Sequence, residues 1–210
     1  MGDKDTERWM KKSKLASAYA MLPSPELRRA IAIEYGRLLG ENDLSDPMLA
    51  GHLRSSILPA VAVYRCLQGY GYTQSASLMA IRAAVLKTAK PMANIFQGMG
   101  RLPFFFSIFR IMCSISTKHS FGPKGWVFEW KRNDAYAIEW DCHAYLYVNV
   151  FHRYSMPELA PIFCESDDVM YGNIPGVRWG RDQTIGGGGK GCNFCFYNEK
   201  KEGLQNETGK

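Results

Sequence analysis

Residues 141–197 hold four of the six cysteines, two of the four histidines and a run of four glycines. Several of these side chains stand at spacings that can do chemistry. Cys142 sits where an alternating aromatic pattern gives way to helical spacing, so it is expected at a strand-to-helix junction. A thiol at such a junction faces free backbone N–H groups and the positive end of a helix dipole, and both favour the thiolate. Cys164 is followed by Glu165, Ser166, Asp167 and Asp168, and on a helix the residues three and four along share its face. A thiol beside a carboxylate can ligate a metal, or hold water between a nucleophile and a base. On these residues alone, Cys142 reads equally well as a buried structural thiol, and Asp168 as a solvated charge.

The two loudest motifs carry less. Cys192-Asn193-Phe194-Cys195 is a C-x-x-C, but it lies in an alternating run in which an odd separation puts the two sulfurs on opposite faces of a strand. No second C-x-x-C completes a zinc knuckle. Gly186–Gly189 followed by Lys190-Gly191 has the texture of a phosphate loop. It lacks the Ser or Thr after the lysine and opens a strand rather than a helix, so it reads as a hairpin connection close to the site.

The chain has 210 residues, 46% of them apolar, enough for a real core. The net charge of +6 comes from basic residues scattered at helical spacing, as on a solvated helix face, with no five-residue basic block. No nucleic-acid partner is therefore expected. The N-terminal MGDKDTERWMKKSK leads into no apolar signal core, so a cytoplasmic location with free or metal-bound thiols is expected. The most lipid-like run, residues 102–115, is interrupted by Arg110 and falls short of the roughly 20 residues that span a bilayer. No membrane partner is expected either, and the sequence leaves the oligomeric state open.

These residues need elements to position them. Helical spacing predicts one helix over residues 4–22 and a second from Ser24-Pro25-Glu26, with Ser24 as N-cap. A third starts at Pro47 and is kinked at Pro59, and a fourth is capped by Thr73 and kinked or ended at Pro91. After a break at residues 98–103 comes an apolar helix over 104–116. Residues 126–131 and 136–141 then alternate about Arg132-Asn133-Asp134, predicting a hairpin with one aromatic, buried face. Two helices follow, and then strands over 177–185 and 192–198. The expected architecture is α+β: a helical N-terminal half packed on a small antiparallel sheet of about four strands with two intervening helices. The helical lobe is 1–120, the site-bearing segment 121–198 and a polar tail 199–210, with lobe and segment expected to form one compact domain.

In order along the chain, Cys142 before an aromatic helix, Met156-Pro157-Glu158-Leu159, Phe163-Cys164 with Asp167, Arg181-x-x-Thr184-Ile185, Gly188-Gly189 and Cys192-x-Phe194 resemble the L-2-amino-thiazoline-4-carboxylic acid hydrolase family. The resemblance spans residues 126–197, with one departure: Asn193 stands where the family pattern carries aspartate. It implies a hydrolase that adds water at C2 of a small cyclic amidine and breaks a C–S bond to give N-carbamoyl-L-cysteine. Under it, Cys142, Cys164, Asp167 and Cys192 are the catalytic candidates, and Arg181, Thr184 and Asn193 the substrate-binding ones. Arg181 would clamp a carboxylate, Cys142 or Cys164 would attack C2 covalently, Asp167 would serve as base or acid, and Thr184 would donate to a tetrahedral intermediate. The sequence requires no cofactor; if a divalent metal is bound, Cys142, Cys164, Asp167 and Cys192 are its expected ligands. Two rival readings stay open: a non-catalytic small-ligand or metal-binding protein, and a thiol redox sensor that would form a disulfide between two of Cys142, Cys164 and Cys192.

Overall fold

The computed structural model describes residues 3–201. In chain order the elements are α1 (Asp3–Met10), α2 (Ala16–Met21), α3 (Pro25–Glu41), α4 (Pro47–His52), a π-helical turn (Leu53–Ile57), α5 (Leu58–Gly69), α6 (Gln74–Gly100) and α7 (Phe105–Ser120). Then come β1 (Trp126–Asn133), β2 (Ala137–Tyr145), α8 (Leu146–Arg153), a 3₁₀ turn (Pro157–Leu159), α9 (Ala160–Tyr171), β3 (Val177–Gly180), a second 3₁₀ turn (Ile185–Gly187) and β4 (Cys192–Asn198). The fold is α+β with a helical N-terminal half and one antiparallel sheet in the order β1-β2-β4-β3. No helix among the described residues is long and apolar enough to cross a membrane. Residues 199–201 are helical, and the rest of the expected polar tail lies outside the described residues.

Two compact units are present. One comprises the chain up to Thr88 together with Tyr147–Ile162. Its core is carried by Leu27, Ile31, Tyr35 and Leu38 of α3 and by Leu58, Val61 and Leu67 of α5, all buried. Ser24 caps α3 as its sequence implies, accepting from the Leu27 N–H at 3.1 Å. The single helix expected over 4–22 is instead two. The Ser13 hydroxyl donates to the Met10 carbonyl at 2.7 Å and accepts from the Leu15 N–H at 3.1 Å, so a side chain satisfies backbone groups that a continuous helix would have paired. Pro59 is accommodated by the π-helical turn rather than by a simple kink. It offers no N–H to the carbonyl of Ser55, and that carbonyl accepts from the Lys14 N–H at 2.8 Å.

The other unit comprises Ala89–Leu146 and the chain from Phe163 onward. Its core joins Phe96, Phe105, Phe106 and Phe109 to Ile138, Trp140, Val177 and Phe196 of the sheet. Expected to bend or end at Pro91, α6 continues to Gly100. Pro91 and Lys87, whose carbonyl it leaves without an intrahelical partner, are both exposed, so water can serve that carbonyl. The β1–β2 hairpin forms as its alternation implies. Asp134 shapes the turn, accepting from the N–H groups of Tyr136 at 2.7 Å and Ala137 at 2.9 Å. Its aromatic face is only partly buried. Trp126 and Trp140 are covered while Trp130 and Tyr136 are exposed, and bulges at Val127/Phe128 and Trp130/Arg132 interrupt the alternation.

Two further departures shape the site. β2 runs on to Tyr145, because Cys142 pairs with Cys192 of β4 and with Phe128 of β1. β3 is shorter than expected and ends at Gly180, after which residues 181–191 form a looped hairpin connection to β4.

Candidate active site

β4 presents its residues alternately. Cys192, Phe194 and Phe196 share one face and Asn193, Cys195 and Tyr197 the other, so the two cysteines of the C-x-x-C diverge as strand geometry requires. Cys142 of β2 lies directly across from Cys192, with Trp140 opposite Phe194 and Ile138 opposite Phe196. The sulfur pair thus stands at one end of an aromatic stripe in which Trp140 and Phe194 stack at 5.1 Å. α9 supplies Cys164, whose thiol hydrogen-bonds the Cys192 sulfur and the Thr184 hydroxyl. Three of the four catalytic candidates therefore form one buried sulfur cluster.

The three sulfurs differ in what reaches them. Burial pushes the Cys142 thiol up to about 11, and its Sγ donates to the Ala144 carbonyl at 2.9 Å. This overturns the depressed thiol expected at a strand-to-helix junction: α8 begins only at Leu146, so Cys142 faces a strand rather than a helix N-terminus. Cys192 is shifted the other way. The Cys164 thiol donates to it, the Ile185 N–H donates to its Sγ at 3.2 Å, and the Arg181 charge helps, together outweighing burial and holding it below the usual thiol range. Cys164 is raised correspondingly, first by that same hydrogen bond and then by burial. Of the two, Cys192 is therefore the one that gives up its proton more readily.

Arg181 is almost fully buried and spans the ends of this arrangement. Its Nη1 donates to Asp167 at 3.2 Å, and its Nη2 donates to the Cys164 carbonyl at 2.7 Å and to Asp168. Trp179 fixes Asp168 from the other side, its Nε1 donating at 3.0 Å, and the guanidinium lies over the Trp179 ring at 5.4 Å. Asp168 is thus part of an ion-pair network rather than a lone surface charge, and the guanidinium fork expected to hold a substrate carboxylate is engaged by the protein's own. Thr184 accepts from the Gly187 N–H at 3.0 Å, capping the 3₁₀ turn. Asn193 turns its amide to the 181–185 segment, accepting from the N–H groups of Asp182 and Gln183, both at 3.0 Å.

A model of the family described as L-2-amino-thiazoline-4-carboxylic acid hydrolase matches residues 53–196, a span that contains every residue of this cluster. The chain belongs to that family. No curated protein and no solved structure matches it.

Two other features of this thiazoline-hydrolase-family chain lie apart from the sulfur cluster. Among the described residues, the set of three ligand-type side chains whose donor atoms all lie within 4.8 Å of one another is Glu129, Asp141 and His143. Cys142, Cys164, Asp167 and Cys192 do not form such a set. An open depression of about 360 Å³ is lined by Arg110, Ile111, Ser114, Ile115 and Asn133, none of them a candidate site residue. The groups that sequence reasoning missed are the Ile185 N–H, Asp182 and Gln183. A backbone donor leaves no trace in residue type, and Asp182 and Gln183 fall in a stretch expected to be strand, whereas β3 ends at Gly180.

Proposed function

We propose that the protein is a hydrolase of a small cyclic amidine of the 2-amino-thiazoline-4-carboxylate kind, with Cys192 as the attacking thiolate. The observation that carries this reading is the pair of donors on one sulfur: the Ile185 N–H and the Cys164 thiol both point at Cys192. Two donors on one buried sulfur favour its thiolate, the form that acts as nucleophile.

Cys192 Sγ adds to C2 of the ring, forming an S–C bond while the C=N electron pair moves to the ring nitrogen. That nitrogen takes the proton held by Cys164, which Thr184 is placed to help relay. The ring C–S bond then breaks, and its sulfur leaves as a thiolate that is protonated, giving an isothiourea on Cys192. Water adds to the same carbon and the C–S bond to Cys192 breaks. The carbamoyl product leaves, and the proton and charge return to Cys164 and Cys192. The net change is addition of one water. Asp167, paired with Arg181 and within the electrostatic reach of Cys164, accepts the proton of the attacking water. Arg181 keeps the two carboxylates from opposing the thiolate.

The test is a panel of cyclic amidines, N-carbamoyl amino acids and simple amides, assayed with the wild type and with Cys192→Ser. Turnover of a 2-amino-thiazoline carboxylate that vanishes in Cys192→Ser supports the reading. Undiminished turnover in that variant sinks the nucleophile, and no turnover of any member sinks the hydrolase. The Cys164–Cys192 contact also favours a second reading, a redox-sensing thiol pair, which predicts loss of two titratable thiols on mild oxidation with no turnover of the panel.

A further inference from the structure

We infer that Asn193 and Asp182 form a positioning pair that holds residues 181–185 against Cys192 and Cys164. Three hydrogen bonds tie the two together. The Asn193 Oδ1 accepts from the Asp182 N–H and the Gln183 N–H, each at 3.0 Å, and its Nδ2 donates to Asp182 Oδ2 at 3.1 Å. One oxygen meets two donors and one amine meets a carboxylate, a pattern that fits a single orientation of the carboxamide.

The segment so held touches the site at both ends. One residue before Asp182, Arg181 reaches Asp167, Asp168 and the Cys164 carbonyl. Two residues after Gln183, the Ile185 N–H reaches the Cys192 sulfur. The rest of the connection is closed on itself. Gln183 Oε1 accepts from the Lys190 N–H at 3.2 Å, and the Gly189 N–H donates to the Thr184 carbonyl at 2.8 Å. Among the described residues, the β4 side chain that hydrogen-bonds residues 182 and 183 is that of Asn193, which is adjacent to Cys192. Strand, pin and donor thus share one short length of chain, and the distance from Ile185 N–H to the sulfur depends on the pin.

The chemistry at position 193 is demanding. Alanine removes all three bonds. Aspartate keeps the two N–H contacts but sets a second carboxylate about 3 Å from that of Asp182, where two negative charges repel each other. The neighbours worsen this. Asp141 is the cross-strand partner of Asn193 and is itself ion-paired with Lys131, while Cys195 lies in the combined field of Glu139, Asp141 and Asp182. In Asn193→Asp the pin therefore survives at low pH, where the two carboxylates share a proton, and is repelled as pH rises and the second one ionises.

The inference rests on Cys192 being the reactive thiol of the proposed site, but its test needs no substrate, so its failure is separable from failure of the hydrolase assignment. Two quantities are measured in the wild type, Asn193→Ala, Asn193→Asp and Asp182→Asn/Asn193→Asp. They are amide hydrogen exchange over residues 181–191, corrected for intrinsic rate, and the pH midpoint for alkylation of Cys192 by iodoacetamide. In Asn193→Ala, protection of the segment is expected to fall by about tenfold, the scale of one lost hydrogen bond, and the Cys192 midpoint to move up. Asn193→Asp is expected to match the wild type in exchange near pH 4 and Asn193→Ala near pH 8. The double variant, which exchanges the two side chains, restores both readouts. Unchanged protection and midpoint in Asn193→Ala overturn the inference. So does a double variant that fails to recover what Asn193→Asp loses, since a pin of purely steric origin has no reason to depend on which partner is the acid.

Discussion

The β2 and β4 sides of the sulfur cluster face each other across a single register position, yet they prepare their thiols for opposite fates. On the β2 side, Cys142 lies inside a paired strand, donates a hydrogen bond to the Ala144 carbonyl and is pushed up to about 11 by burial. On the β4 side, Cys192 opens a strand that follows a hydrogen-bonded loop, and that loop delivers a backbone N–H to the sulfur. Burial is nearly the same for both. What separates them is donors against acceptors, so the reactive thiol is chosen by the loop and not by the sheet.

Removing one side at a time gives the largest contrast. Cys192→Ser is expected to lower turnover of the amidine substrate on the order of 10⁴-fold, the scale seen when a covalent nucleophile is lost, while circular dichroism stays unchanged. Cys142→Ala is expected to lower it by less than about tenfold, because its thiol supplies packing and not charge. Equal losses in steady-state assays of the two variants would erase the distinction.

Arg181 supports the β4 side, and its removal is expected to matter next. It is buried and holds two carboxylates and a carbonyl, so Arg181→Ala should destabilise the protein by about 2–3 kcal/mol in urea denaturation, discounted for the half-exposed Asp168. Arg181→Lys should recover only part of this, because an ammonium cannot reproduce the fork. A fully stable Arg181→Ala variant would show that the network is ornamental.

The pH dependence sharpens the comparison further. Cys192 is held below the usual thiol range, so kcat/KM should rise with pH through that lowered value and then level off. In stability the sign is the same: a depressed group contributes above its unfolded value, and that contribution is lost as pH falls through the folded one. A profile that rises only near 11 would point to Cys142 instead. The smallest expected effect lies far from the sulfurs. Hydrogen bonding to Arg132 and to the Tyr136 and Ala137 N–H groups holds Asp134 down to about 2. The hairpin should therefore loosen as pH falls from about 4 toward 2, and Asp134→Ala should cost about 0.5–1 kcal/mol by thermal melting at neutral pH.

How much of this was legible beforehand follows from the range of the forces involved. Ser24, Pro25 and the alternation at 126–141 are local signals, and the α3 cap and the hairpin appear where they place them. The divergence of Cys192 and Cys195 is local too, since it needs only strand periodicity. The extension of β2 through Cys142 was not legible, because it depends on pairing with a strand fifty residues on. Pro91 misled because one missing N–H on an exposed face is a small loss against a long helix. The sulfur cluster was half legible. Its side chains could be named, but the Ile185 N–H that ranks them, and the engagement of Arg181 by Asp167 and Asp168, are facts of tertiary placement.

The most direct measurement is site-resolved labelling. The native protein is exposed briefly to iodoacetamide across pH 6–11, and each cysteine is quantified by peptide mapping. The account predicts that Cys192 is labelled first, with a midpoint below the ordinary thiol value of 9.0, while Cys142 reacts only as pH approaches 11. Labelling of Cys142 or Cys164 ahead of Cys192 would contradict it.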